Sequence, residues 1–79
     1  MSTAIVMKLD LKGMSCPLPI IKTAKAIKAI APGELLEVVA TDPGSVPDFK
    51  AWSQTTGNPL VECDQQDGVF HFVLKKKEA

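Results

Sequence analysis

From Ala4 to Leu11 apolar and polar residues alternate, with Ile5, Met7, Leu9 and Leu11 on one side and Lys8, Asp10 and Lys12 on the other. A period of two predicts a half-buried strand. Lys12-Gly13-Met14-Ser15 breaks the alternation, and Gly13 suits a tight turn. The period then lengthens. Ile20, Ala24, Ile27 and Ala31 recur at three- and four-residue spacing, flanked by Ile21 and Ile30, which predicts a helix from Pro17 to about Ala31. Lys22, Lys25 and Lys28 fall away from that stripe. Pro17 and Pro19 sit in the first turn, where a missing N–H costs least, and Pro32-Gly33 ends the helix.

Leu35 to Ala40 (LLEVVA) is apolar and β-branched, as a well-buried strand should be. A turn-rich Thr41-Asp42-Pro43-Gly44 follows. Ser45 and Asp48 have capping-box spacing ahead of a helix from Val46 to about Thr56, with Phe49 and Trp52 as core residues. Gly57 is a natural left-handed stop and Asn58-Pro59 prevents continuation. The remainder reads as a hairpin: Leu60 to Asp64, a turn through Gln65-Gln66-Asp67-Gly68, then Val69 to Leu74. The order β-α-β-α-β-β requires a parallel first strand pair with a right-handed crossover. The expected fold is a two-layer α/β sandwich: two helices cover one face of a mixed four-stranded sheet, and the other face is wet or partner-covered. One domain spans 1–79, ordered over about 4–74, with the tail 75–79 mobile.

A chain of 79 residues has little room for a deep private cavity, so chemistry belongs on the surface or is completed by a partner. Nine Lys balance nine Asp plus Glu and there is no Arg, which argues against direct nucleic-acid binding. Lys22, Lys25, Lys28 and the run Lys75-Lys76-Lys77 read as solvated surface. No apolar run approaches the roughly 20 residues of a membrane span, and the start lacks a signal-peptide pattern. With two cysteines, this points to the reducing cytoplasm.

Cys16 is the leading chemical candidate. In Met14-Ser15-Cys16-Pro17-Leu18-Pro19 it falls at or next to the N-cap of the first helix. A helix N-terminus carries roughly half a positive charge, favouring thiolate, or a persulfide anion, over the neutral form. Pro17 and Pro19 have no amide hydrogen, so the nearby donors are those of Leu18 and Ile20, and both prolines stiffen the turn. A lone cysteine is usually a small buried apolar residue; the Cys-Pro-x-Pro context at a helix start favours function here.

The other candidates are weaker. Hairpin parity puts Cys63 on one apolar surface with Val61, Phe70, Phe72 and Leu74, which predicts an inert core thiol and argues against a Cys16–Cys63 disulfide. His71 lies on the opposite face with Val69 and Val73 and opposes Glu62 in one register, as an exposed histidine or ion-pair partner. Two cysteines 47 residues apart and one histidine do not make a zinc site, and no phosphate-binding glycine loop is present. Asp42-Pro43 is turn chemistry first and a partner-guiding carboxylate second.

These residues resemble the TusA family of sulfur carriers, which includes SirA- and YedF-like proteins. The likeness runs from Leu9 to Leu74 and is sharpest over Leu9–Pro19, where Asp10, Gly13, Cys16, Pro17 and Pro19 match Asp-x-x-Gly, two spacers and Cys-Pro-x-Pro. Pro32-Gly33-Glu34 and Asp42-Pro43 support it. The resemblance implies that Cys16 accepts a sulfane sulfur as a covalent persulfide, with no other cofactor, from a cysteine desulfurase or rhodanese-type donor and passes it to an acceptor protein. Downstream uses in the family include tRNA thiolation, molybdenum-cofactor maturation and dissimilatory sulfur oxidation. Leu18 stands where some members carry Glu, which removes a charge beside the sulfur. Gly13, Pro17, Leu18 and Pro19 would support the site, and Met14, Asp42 and Pro43 would help a partner dock; a monomer is expected. The family also shares its fold with the C-terminal domain of bacterial translation initiation factor three, which by itself says little about function. Two other readings differ in kind: a regulatory or RNA- or protein-binding module using the sheet or the lysines, and a redox switch at Cys16, for which no nearby resolving cysteine is present.

Overall fold

A computed structural model describes residues 5–15 and 17–78 of the chain. The elements run β1 (Ile5–Leu11), α1 (Leu18–Ile27), β2 (Leu35–Ala40), α2 (Ser45–Thr56), β3 (Leu60–Gln66) and β4 (Val69–Lys75). The strands form one sheet in the order β1-β2-β4-β3. β1 and β2 are parallel, while β2–β4 and β3–β4 are antiparallel. The expected α/β sandwich is the fold observed.

Both helices cover the face built from Leu11, Leu36, Val38, Ala40, Phe72 and Leu74, all buried, and Phe49 of α2 joins this core. Its ring lies 4.5 Å from that of Phe72 and meets Trp52 edge-on at 6.4 Å. The buried line of α1 is Pro19, Thr23 and Ile27, continued by Ile30, one residue out of step with the expected stripe. Ala31 and Ile21 are exposed. Thr23 is fully buried, and a polar residue on the inner face hides the true phase from a hydrophobicity pattern.

α1 stops at Ile27, short of Ala31, and closes through a turn at Lys28–Ile30. Pro32 disfavours helical geometry at Ala31, and the Glu34 carboxylate accepts the Ala31 amide at 2.7 Å. Ser45 is the first residue of α2 rather than its cap: Gly44 holds the N-cap position, with no side-chain cap bond. The Ser45 hydroxyl is buried without a hydrogen-bond partner. Gly57, at φ +81°, ends α2 in the expected left-handed turn.

The hairpin turn is two residues, Asp67 and Gly68, both at positive φ, so β3 runs on to Gln66. A bulge at Val61 puts Leu60, not Val61, opposite Leu74, and Val61 is 52% exposed. Beyond Leu74, Lys75 to Lys77 hydrogen-bond back to the body of the fold. The Lys76 amide donates to the Glu34 carbonyl, and its ammonium donates to Ile30 O at 2.6 Å. Lys77 N–H donates to Asn58 Oδ1 at 2.7 Å. Among the described residues, no helix is long and apolar enough to cross a membrane.

Candidate functional site

Because β1 and β2 are parallel, each feeds its helix from the same edge of the sheet. The loops after Leu11 and after Ala40 therefore emerge side by side, the position where open parallel sheets build their sites. A hydrogen bond joins them: Gly13 N–H donates to Thr41 Oγ1 at 3.0 Å. Gly13 has φ +84°, which glycine adopts without penalty. A Cβ there would meet nothing within 4 Å, so backbone conformation, not space, requires the glycine. Met14 N–H donates to Leu11 O at 3.2 Å, and its half-buried side chain packs against the core.

Cys16 lies outside the described residues, but those on either side of it do not. Pro17 is the N-cap of α1, without a side-chain cap bond, and no acidic residue occupies the first turn. The positive end of this helix is thus unneutralised by its own residues, as an anionic ligand would require. Ser15, Pro17 and Leu18 are exposed, while Pro19 is fully buried and anchors the first turn. The Leu18 amide, expected to serve a sulfur at Cys16, instead donates to Ser15 O at 3.0 Å. That bond fixes the spacing of the two residues flanking Cys16-Pro17.

Asp42 shapes the second loop. Its carbonyl accepts Ser45 N–H at 2.9 Å, and its carboxylate accepts Gly44 N–H at 3.3 Å. Asp42 is half-buried and Pro43 exposed. Met14, Asp42 and Pro43 therefore share one edge of the molecule with the start of α1. Thr41, which fastens the loops together, carries no signal in the sequence: a threonine before Asp-Pro looks like any turn residue.

Cys63 departs from expectation. Parity holds, since Cys63 pairs with Phe72 and shares its face, but Cys63 is exposed. β3 is the outermost strand, and side chains at such an edge escape the helices that seal Phe72. The predicted inert core thiol is a surface thiol. β3 lies three strand spacings, about 14 Å, from β1. His71 pairs with Asp64 instead of Glu62, its Nδ1 3.4 Å from Asp64 Oδ1, because the hairpin turn has two residues and not four. It sits beside a shallow groove of about 310 Å³ on the open sheet face, lined also by Lys8, Asp10, Lys12 and Asp67. The groove lysines already face acids, Lys8 at 4.0 Å from Glu37 and Lys12 at 3.9 Å from Asp10. Among the described residues, no cluster of potential metal ligands forms.

The chain matches the family model described as sulfurtransferase TusA over residues 7–76. It is 49% identical over 69 residues to the sulfur carrier protein TusA of Allochromatium vinosum, covering 87% of this chain and 91% of that protein. A Halobacterium salinarum relative is 51% identical over 71 residues, covering 87% of this chain and 88% of that one. The crystal structure of a SirA-like protein from Desulfitobacterium hafniense superposes with a TM-score of 0.81 at 23% identity, covering 92% of this chain and all of that one, which shows the shared fold. With its sheet order, its linked loops and a match across nearly its whole length, this chain belongs to the TusA family.

Proposed function

We propose that the protein relays sulfur on Cys16, taking a sulfane sulfur from a donor protein and handing it to an acceptor. The observation that carries this reading is the open N-terminus of α1 directly after Cys16 in the chain, with no acid and no side-chain cap to neutralise it. Such a helix end favours a negative charge by about 0.3–1 kcal/mol. The gain applies to a thiolate and to a persulfide anion alike, so it supports both the empty and the loaded carrier. The relative from Allochromatium vinosum bears the name of a sulfur carrier, which agrees with this function.

The chemistry needs no resident base or cofactor beyond the covalent sulfur. The Cys16 thiolate attacks the outer sulfur of a donor persulfide, R–S–SH. The S–S bond of the donor breaks, R–S⁻ leaves, and Cys16 becomes Cys16–S–SH. The acceptor thiolate then attacks that outer sulfur and restores the Cys16 thiolate. Each step conserves charge and consumes no external oxidant, and each is fastest when the attacking sulfur is ionised and accessible. A cysteine desulfurase or a rhodanese-type protein is the donor class that presents such a persulfide. A reducing compartment such as the cytoplasm keeps the carrier thiol free between cycles.

Intact-mass measurement after incubation with a cysteine desulfurase and cysteine tests the reading. The expected product gains one sulfur atom that dithiothreitol removes, is lost in Cys16→Ser and is kept in Cys63→Ser. Because Cys63 is also exposed, the pair of variants is essential. Loading that survives Cys16→Ser and disappears in Cys63→Ser would move the carrier site to the opposite edge of the sheet.

A further inference from the structure

The turn that leads from β1 towards Cys16 is shaped by bonds of short reach. Lys12 N–H donates to Asp10 Oδ1 at 3.2 Å, and Met14 N–H donates to Leu11 O, also at 3.2 Å. Leu18 N–H donates to Ser15 O at 3.0 Å. The bond from Gly13 N–H to Thr41 Oγ1 is of another kind: it joins residues 28 apart in the chain and ties the turn to the end of β2. Its donor is a glycine at φ +84°, free to swing because it carries no side chain. Its acceptor is β-branched, so χ1 is stiff and the oxygen is held in one direction. Thr41 is exposed, and burial therefore gives no reason for a threonine there.

We propose that Thr41 is a positioning residue for the sulfur relay: by holding the Gly13 amide it sets the direction in which the Cys16 sulfur is presented to the N-terminus of α1. The proposal rests on the Cys16 relay reading. Cys16 follows Gly13 by three residues, so rotation at this glycine is carried into the placing of the sulfur. The benefit of a helix end to an anion fades within the first turn, which makes that placing matter. The first turn has little with which to recapture a displaced sulfur. Pro17 and Pro19 have no N–H, and the Leu18 amide is spent on Ser15. Met14 packs against the core and keeps the turn close to the sheet. Apolar contact has no direction, however, so the angle at Gly13 is left to the hydrogen bond.

The test reads the thiol itself. All variants carry Cys63→Ser, because Cys63 is exposed and would react as well. The rate of Cys16 alkylation by iodoacetamide is followed against pH for this parent and for Thr41→Val, with the charged groups of the two loops, Asp10, Lys12 and Asp42, kept in both. With the sulfur no longer held at the helix end, Thr41→Val should react about threefold more slowly near neutral pH, the share of ionisation that such an end supplies. Its pH–rate profile should move to higher pH and meet that of the parent where both thiols are ionised. Thr41→Ser keeps the oxygen but not the stiff χ1, and should fall between the two. Lys76→Met loosens the far end of α1 and should leave the profile in place, which separates positioning from general destabilisation. A Thr41→Val profile that coincides with that of the parent would overturn the proposal, whatever the variant loses in stability. So would a shift of equal size in Lys76→Met, or a slower rate that persists at high pH. Failure of a cysteine desulfurase with cysteine to load the parent would sink the relay reading instead, while the alkylation profiles would still show whether Thr41 positions the thiol.

Discussion

Replacing Gly13 isolates what the linked loops contribute. The residue sits at φ +84°, and a Cβ added there would meet no atom within 4 Å. The cost of Gly13→Ala is therefore conformational: about 1–2 kcal/mol for an L-residue in the left-handed region. The stiffer unfolded chain returns about 0.4–1 kcal/mol, leaving a net loss of about 1 kcal/mol. Gly13→Asn, which tolerates this region better, should lose about half as much. Urea unfolding followed by Trp52 fluorescence reads the difference, since Trp52 is half-buried against Phe49. With a slope of roughly 1 kcal/mol per M for so small a domain, the alanine midpoint should fall by about 1 M. Thr41→Val removes the acceptor of the 3.0 Å bond from Gly13 and should cost about 1 kcal/mol. Combined with Gly13→Ala, it should cost less than the sum, because both changes loosen the same link. Equal losses for Ala and Asn would refute the reasoning, since they would show that something other than backbone conformation requires glycine.

Two further outcomes follow from the tail and the edge strand. Cys63 should react with iodoacetamide in the native protein, and Cys63→Ser should change stability by less than about 0.5 kcal/mol; protection until denaturation would contradict its placement on the exposed edge. Lys76→Met should lower stability by about 0.5–1 kcal/mol, more at low salt than at high, because the ammonium caps the carbonyls that end the α1 turn. A calorimetric midpoint unchanged at low salt would show that the tail contributes nothing there.

How far the sequence could be read depended on whether a signal was local. β2 was legible to the residue, because an apolar β-branched run between a Pro-Gly turn and an Asp-Pro turn has one sensible assignment. Gly57 was legible as a stop for the same reason. The hairpin was legible in parity but not in length, since Gln65 and Gln66 are polar whether they form a turn or an exposed edge. The burial of Cys63 was misread because parity tells which face a side chain joins, not how far the helices reach across it. The start of α1 was evident in the Cys-Pro-x-Pro run, whereas the phase of its buried stripe was hidden by Thr23.

By itself, then, the sequence determined the element order, the parallel pairing of the first two strands and the placing of Cys16 immediately before a helix. All three follow from short-range patterns and chain connectivity. Tertiary structure decided that β3 became an edge strand, and so that Cys63 is exposed. It also decided that Thr41 fastens the Gly13 loop, that the Leu18 amide is already engaged, and that Lys76 holds the end of α1 from 46 residues away. These are contacts between distant segments, whose geometry is fixed only when the sheet order and the helix packing are fixed. No window of sequence contains both partners.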